Sequence, residues 1–247
     1  MTRQAAGHPW TTVPITLTAF AVTAAVSVAA LLDPALEHLL TRDAALVRAG
    51  QWWRLITPIL VQPDGWGQFA FNLAGVAVVG AAIERRRAPW LVPFLVGGVA
   101  SIAVLTVCRP ADHGGGTSDC VASLIGVLAL TGALRARRTM GLLAATAGSY
   151  GAFFCAYLAL LEPLGVWPAS IAGDLAVAVF LIARRGLGAR AAGYGLLALV
   201  GVTGLVLAAR VDSHGIGLLV GLLVSGGYTV AGAGRIRSER HRVANHA

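Results

Sequence analysis

Long apolar runs separated by short polar connections set the pattern of this chain. A helix needs roughly 20 apolar residues, at 1.5 Å rise each, to cross about 30 Å of hydrocarbon. Eight segments meet or approach that length: about 13–32, 66–83, 91–108, 117–134, 141–161, 169–183, 191–210 and 214–233. They predict an all-α, polytopic transmembrane bundle of about eight spans. The sixth is the weakest, being short and carrying Asp174. No repeat of 20–50 residues recurs, and no linker is long enough to separate one domain from another. The expected organisation is a cytoplasmic tail at 1–12, a transmembrane domain at 13–233 and a basic cytoplasmic tail at 234–247.

The arginines give this pattern a direction. Odd-numbered connections hold 5 of them (Arg42, Arg48, Arg54, Arg109 and Arg210); even-numbered connections and the two tails hold 14. Cytoplasmic loops carry the excess of positive charge. Both termini are therefore expected inside, and the chain in the plasma (inner) membrane. Without the sixth span, Arg184, Arg185 and Arg190 would fall outside and everything after them would invert.

Composition agrees. The 247 residues are 57% hydrophobic and 12% charged, about half the charge of a soluble domain. Such a chain cannot cover a water-facing surface, so the lipid bilayer is its expected surroundings. The net charge of +8 comes from arginine alone, with no lysine, in clusters between apolar runs. That is a topology signal, and no nucleic-acid partner is expected. Cys108, Cys120 and Cys155 are too scattered for a zinc site or a disulfide framework. The first apolar run is too long for a signal-peptide core and reads as a retained span. The first external connection, about 33–65, contains GQWWRLITPIL, whose tryptophans beside an arginine suit the headgroup interface.

Candidate chemistry lies where polar residues enter these spans, because polar groups at membrane depth are costly unless satisfied. Ser118 opens the fourth span after Gly114, Gly115, Gly116 and Thr117. Alone, it reads as a helix cap. However, Ser118, Ala122 and Gly126 form a stripe of small residues at four-residue steps. Gly217, Gly221 and Ser225 form another on the eighth span, with His214 one turn above Gly217. Small faces let helices approach closely. Three spans separate the two segments, so they run parallel and Ser118 and His214 can meet. A serine and a histidine so placed suggest a nucleophile and its general base. On the second span, Gln68 and Asn72 share a face and could donate to an oxyanion, or simply join two helices.

Together these elements resemble the rhomboid family of intramembrane serine proteases, over about residues 50–233. Trp53-Arg54 followed by LITP is similar to the family's Trp-Arg motif. Asn72 matches the asparagine of its His-x-x-x-Asn pattern, and Gly116-Thr117-Ser118 matches the start of Gly-x-Ser-Gly. His214 with Gly217 and Gly221 is similar to the histidine before GxxxG on the family's last helix. The resemblance implies a Ser118–His214 dyad without a third carboxylate. Asn72 and the Ser118 amide would then hold the oxyanion, with transmembrane protein substrates and no cofactor or metal. Two positions depart from the pattern. Gln68 stands where the family has histidine, though its amide can still donate. Asp119 replaces glycine and could orient His214, favour that histidine's charged form or repel the oxyanion, effects of opposite sign. Alternatives are an inactive rhomboid-like protein that binds transmembrane helices and, more distantly, a small-solute transporter using Asp174. Against the transporter, Asp174 is equally explained by a pairing with Tyr194 or Ser149 in a neighbouring helix. The separation of 96 residues between Ser118 and His214 leaves room for two spans beyond a six-helix core, placed within about 141–210.

Overall fold

The structure, a computed structural model, describes residues 13–86, 88, 90–134 and 140–244, with side chains described through residue 231. The 1–12 tail therefore lies outside the described residues, as do Arg3, Arg87, Arg135, Arg137 and Arg138 among the arginines on which the expected orientation rests. Helix α1 (Pro14–Leu32) is followed by α2 (Pro34–Leu40), α3 (Ala44–Arg48) and two 3-10 turns, Trp52–Leu55 and Thr57–Leu60. Next, α4 (Trp66–Gly75) runs through a π-helical turn, Val76–Gly80, into α5 (Ala81–Glu84) as one span. Then come α6 (Leu91–Cys108), α7 (Ser118–Leu134), α8 (Leu142–Leu164), α9 (Val166–Gly186), α10 (Ala189–Ala209) and α11 (Ser213–Ala244). Seven of these segments are long and apolar enough to cross a membrane, and α7 is a shorter apolar eighth. The chain is an all-α, multi-pass membrane protein.

The element bounds follow local chemistry. Asp33 and Asp43 cap α2 and α3 by accepting first-turn N–H groups. Glu84 accepts from Ile15 N–H, Thr16 N–H and Thr16 Oγ, fastening the start of α1 to the end of the second span. The sixth span is longer than its apolar run, because Pro168 is tolerated in the first turn of α9. A single residue, Gly165 at φ +82°, turns α8 into α9. Only glycine takes that conformation without strain.

Apolar side chains face outward as well as inward, as lipid requires. On α1 the buried residues are Thr16, Thr23, Ser27 and Ala30, while Leu17 and Val22 are exposed. Helix α7 is the reverse, with Val121, Leu124, Ile125 and Val127 fully buried. Its 17 residues span about 26 Å, short of the roughly 30 Å hydrocarbon layer. Enclosed by neighbours, α7 can begin at an inset position that a lipid-facing helix could not.

The connection at about 33–65 is more internal than expected. Trp52 and Trp53 are exposed, but the Arg54 guanidinium is buried. It donates to the His38 and Thr41 carbonyls, both at 2.7 Å, and to Gln51 Oε1 at 2.7 Å. Arg54 staples the loop because its planar fork can serve several oxygens at once.

Candidate active site

Ser118 is the first residue of α7, and the loop before it is pressed onto the Thr57–Leu60 turn. Gly116 N–H donates to the Pro58 carbonyl at 2.9 Å. Gly116 has φ +151°, and a Cβ there would lie 2.8 Å from Gln68 Nε2 and 3.1 Å from Ser118 Oγ. Any other residue would intrude on the serine. Thr117 is fully buried and donates from Oγ1 to the Ile59 carbonyl at 2.7 Å.

Helix α11 brings His214 to the same place. Gly126 and Gly221 stand where any side chain would collide with the opposing backbone, and a Cβ on Gly217 would lie 2.5 Å from the Asp119 carbonyl oxygen. Ala122 is fully buried beside Gly217. With the two helices this close, His214 Nε2 lies 3.0 Å from Ser118 Oγ. The start of α11 is held by Ser101 of α6, which donates to the Ser213 carbonyl at 2.9 Å. Phe154 of α8 meets the imidazole edge to face, with ring centroids 5.8 Å apart.

The two amides on α4 lie beside this pair, and both already have partners. Asn72 Nδ2 donates to Gln62 Oε1 at 2.7 Å, and Gln62 Nε2 donates to Thr117 Oγ1 at 2.7 Å. A buried relay thus links α4 to the residue before the serine. Gln68 Nε2 donates to the Gly115 carbonyl at 3.3 Å, and its Oε1 accepts the Asp64 N–H at 3.1 Å. Gln68 holds the glycine loop in place.

Asp119 is buried, and its Oδ1 has no hydrogen-bond partner. That oxygen lies 4.0 Å from His214 Nε2, beyond hydrogen-bond reach. The carboxylate that does orient the imidazole is Asp212, which the sequence pattern does not single out. Its Oδ1 lies 2.7 Å from His214 Nδ1 and accepts the His214 N–H at 2.9 Å. Burial works against ionising Asp212, but the hydrogen bond and charge of His214 outweigh it, and the carboxyl is held below its usual range. The available signal was an aspartate just before a helix, an ordinary N-cap position. Gln62 gave no comparable signal, being one polar residue in a long connection.

A cavity of about 680 Å³ opens above these groups. Gln68, Asn72, Ser118, Asp119 and His214 line it, with Phe153 and Phe154 on an apolar wall. Arg42 lies at its edge, its guanidinium pulled below its ordinary value by burial. Asp174 is elsewhere, exposed on α9, and neither Tyr194 nor Ser149 bonds to it. Among the described residues no cluster of three His, Cys, Asp or Glu could hold a metal.

The rhomboid domain description matches residues 49–176, more than half of the chain. The match includes Asn72 and Ser118 and stops before His214. Rhomboid protease GluP of Bacillus subtilis is 31% identical over 105 residues, which cover 40% of this chain and 20% of GluP. YdcA of the same organism, also named after the rhomboid proteases, is 32% identical over 102 residues, covering 38% of this chain and 51% of YdcA. The aligned region thus spans between a fifth and a half of the length of these curated relatives. No solved structure matches the chain. With a matching domain that extends over most of the bundle from the first loop to α9, this chain belongs to the rhomboid family.

Proposed function

We propose that this chain is an intramembrane serine protease that cleaves membrane-anchored proteins, with Ser118 as nucleophile and His214 as general base. The observation that carries the reading is the 3.0 Å approach of Ser118 Oγ to His214 Nε2 in a cavity at the start of α7. Ser118 Oγ attacks the scissile carbonyl carbon while its proton passes to Nε2, and the carbonyl electron pair moves onto oxygen. The C–N bond then breaks as Nε2 returns that proton to the leaving amine. Water, activated in the same way, releases the acyl group from Ser118. The Ser118 N–H is among the first-turn donors that helix geometry leaves free, and Asn72 Nδ2 has a second hydrogen beyond the one given to Gln62. Both could serve the oxyanion, which the helix N-terminus also favours.

The arginine distribution supports placing this cavity at the outer face of the plasma membrane, with both termini cytoplasmic. A second reading, a rhomboid-like protein that binds transmembrane helices without cutting them, is favoured by one observation. The amides of Gln68 and Asn72 are already bonded within the protein, leaving fewer donors for an oxyanion. Reconstitution with single-span reporter proteins separates the two. The protease reading expects cleavage that Ser118→Ala and His214→Ala each abolish. Reporter binding by wild type without any cleavage would overturn it in favour of the second.

A further inference from the structure

We propose that Asp212 is a positioning residue that makes the Ser118–His214 pair a three-member relay. The inference rests on the reading of Ser118 and His214 as nucleophile and base, and it departs from the dyad without a carboxylate that the family resemblance implies.

The backbone is built to hold Asp212 still. Asp212 N–H donates to the Leu207 carbonyl at 2.9 Å and Val211 N–H to the Ala208 carbonyl at 3.0 Å, the paired bonds that close a helix through a left-handed residue. That residue is Val211 at φ +57°, the sole non-glycine with positive φ among the described residues. A β-branched side chain there is strained, and such strain persists only where the surroundings over-determine it. Glycine would close α10 more easily but would leave the next residue freer. With its backbone clamped, Asp212 presents one oxygen both to the His214 N–H, as the cap of α11, and to the ring Nδ1.

With Asp212 ionised, that geometry assigns the shared proton to the ring. An ionised carboxylate can only accept, so the hydrogen between Asp212 and His214 is on Nδ1. Nε2 is left with its lone pair directed at Ser118 Oγ–H, the tautomer a general base needs. When Nε2 takes the serine proton, the imidazolium charge is balanced across the Nδ1–H···Oδ1 bond. Asp212 itself takes no proton at any step. Asp119 lies on the Nε2 side, without a hydrogen bond to the ring, and cannot set the tautomer.

The test uses the full-length protein in detergent, a fluorophosphonate probe and nitrogen NMR of labelled histidine. Asp212→Ser keeps a capping oxygen for α11 but cannot serve as the carboxylate. It should keep its thermal midpoint within a few degrees while labelling falls about tenfold or more. Asp212→Glu should recover some of that loss. The wild-type His214 signal, assigned by its absence in His214→Ala, should show the proton on Nδ1, and Asp212→Ser should lose that signature. Wild-type labelling that requires Ser118 and His214 but is unchanged in Asp212→Ser would overturn the proposal and leave the protease reading standing. Failure of wild type to label would remove the protease reading and this inference with it. If Asp212→Ser does not fold, the wild-type spectrum decides, and a proton on Nε2 would overturn the proposal.

Discussion

Gly221 of α11 lies against the backbone carbonyl of Ser123 on α7, with no room for a side chain between them. This contact lies about two turns below His214 and sets how closely its helix approaches Ser118. Gly221→Leu should push the helices apart, destabilise the fold by about 1–3 kcal/mol or more and abolish fluorophosphonate labelling. Gly227, further along α11, faces open space. Gly227→Ala should therefore stay within about 0.5 kcal/mol of wild type. Thermal melts with parallel labelling check both.

Gln62 couples the amide of Asn72 to the hydroxyl of Thr117. Gln62→Leu strands the buried Asn72 amide and removes the donor to Thr117, which keeps its bond to the Ile59 carbonyl. A buried hydrogen bond left unmade costs about 1–3 kcal/mol. The melting point should fall. Labelling of folded protein should also slow, because Thr117 fixes the backbone that carries Ser118. A lowered melting point without a labelling defect would show that the relay serves stability alone.

Asp119 presents a buried oxygen that nothing satisfies. Its place in the first turn of α7 returns about 0.3–1 kcal/mol through the helix dipole, whereas an unsatisfied buried group costs about 1–3 kcal/mol. Asp119→Asn is therefore expected to stabilise the protein by about 1 kcal/mol, read as a raised thermal midpoint. A lowered midpoint would mean that the carboxylate is held by the charges of Arg42 and His214.

The carboxyl of Asp212 faces His214, with Arg109 and Asp119 the other charged groups acting around it. Its folded value is depressed, so its stabilisation is complete above the unfolded value near 3.9 and is lost as pH falls through the folded one. The melting advantage of wild type over Asp212→Asn should accordingly persist near neutrality and shrink in acid. An advantage that grows as pH falls below the unfolded value of about 3.9 would contradict a depressed Asp212 carboxyl.

How much of this was legible beforehand depended on the kind of signal. The eight apolar helices were readable because lipid demands continuous apolar length, and their bounds fell within a few residues of the runs, except that α11 continues to Ala244, past the run ending near 233. The small-residue stripes on α7 and α11 were readable because close packing leaves a four-residue period. Arg54 misled, since a cation beside two tryptophans in sequence does not reveal that its guanidinium turns inward to loop carbonyls. Asp212 went unread although its N-cap position was visible, because an acid two residues before a histidine reaches the ring only if the intervening turn is tight. That turn depends on Val211 adopting a conformation no propensity favours.

The central claim is that Ser118 is activated by His214. Labelling the purified, folded protein with a fluorophosphonate, with Ser118→Ala and His214→Ala run alongside, tests it most directly. The expected result is labelling of wild type that disappears in both variants. A folded wild type that does not react, or labelling that survives Ser118→Ala, would contradict it.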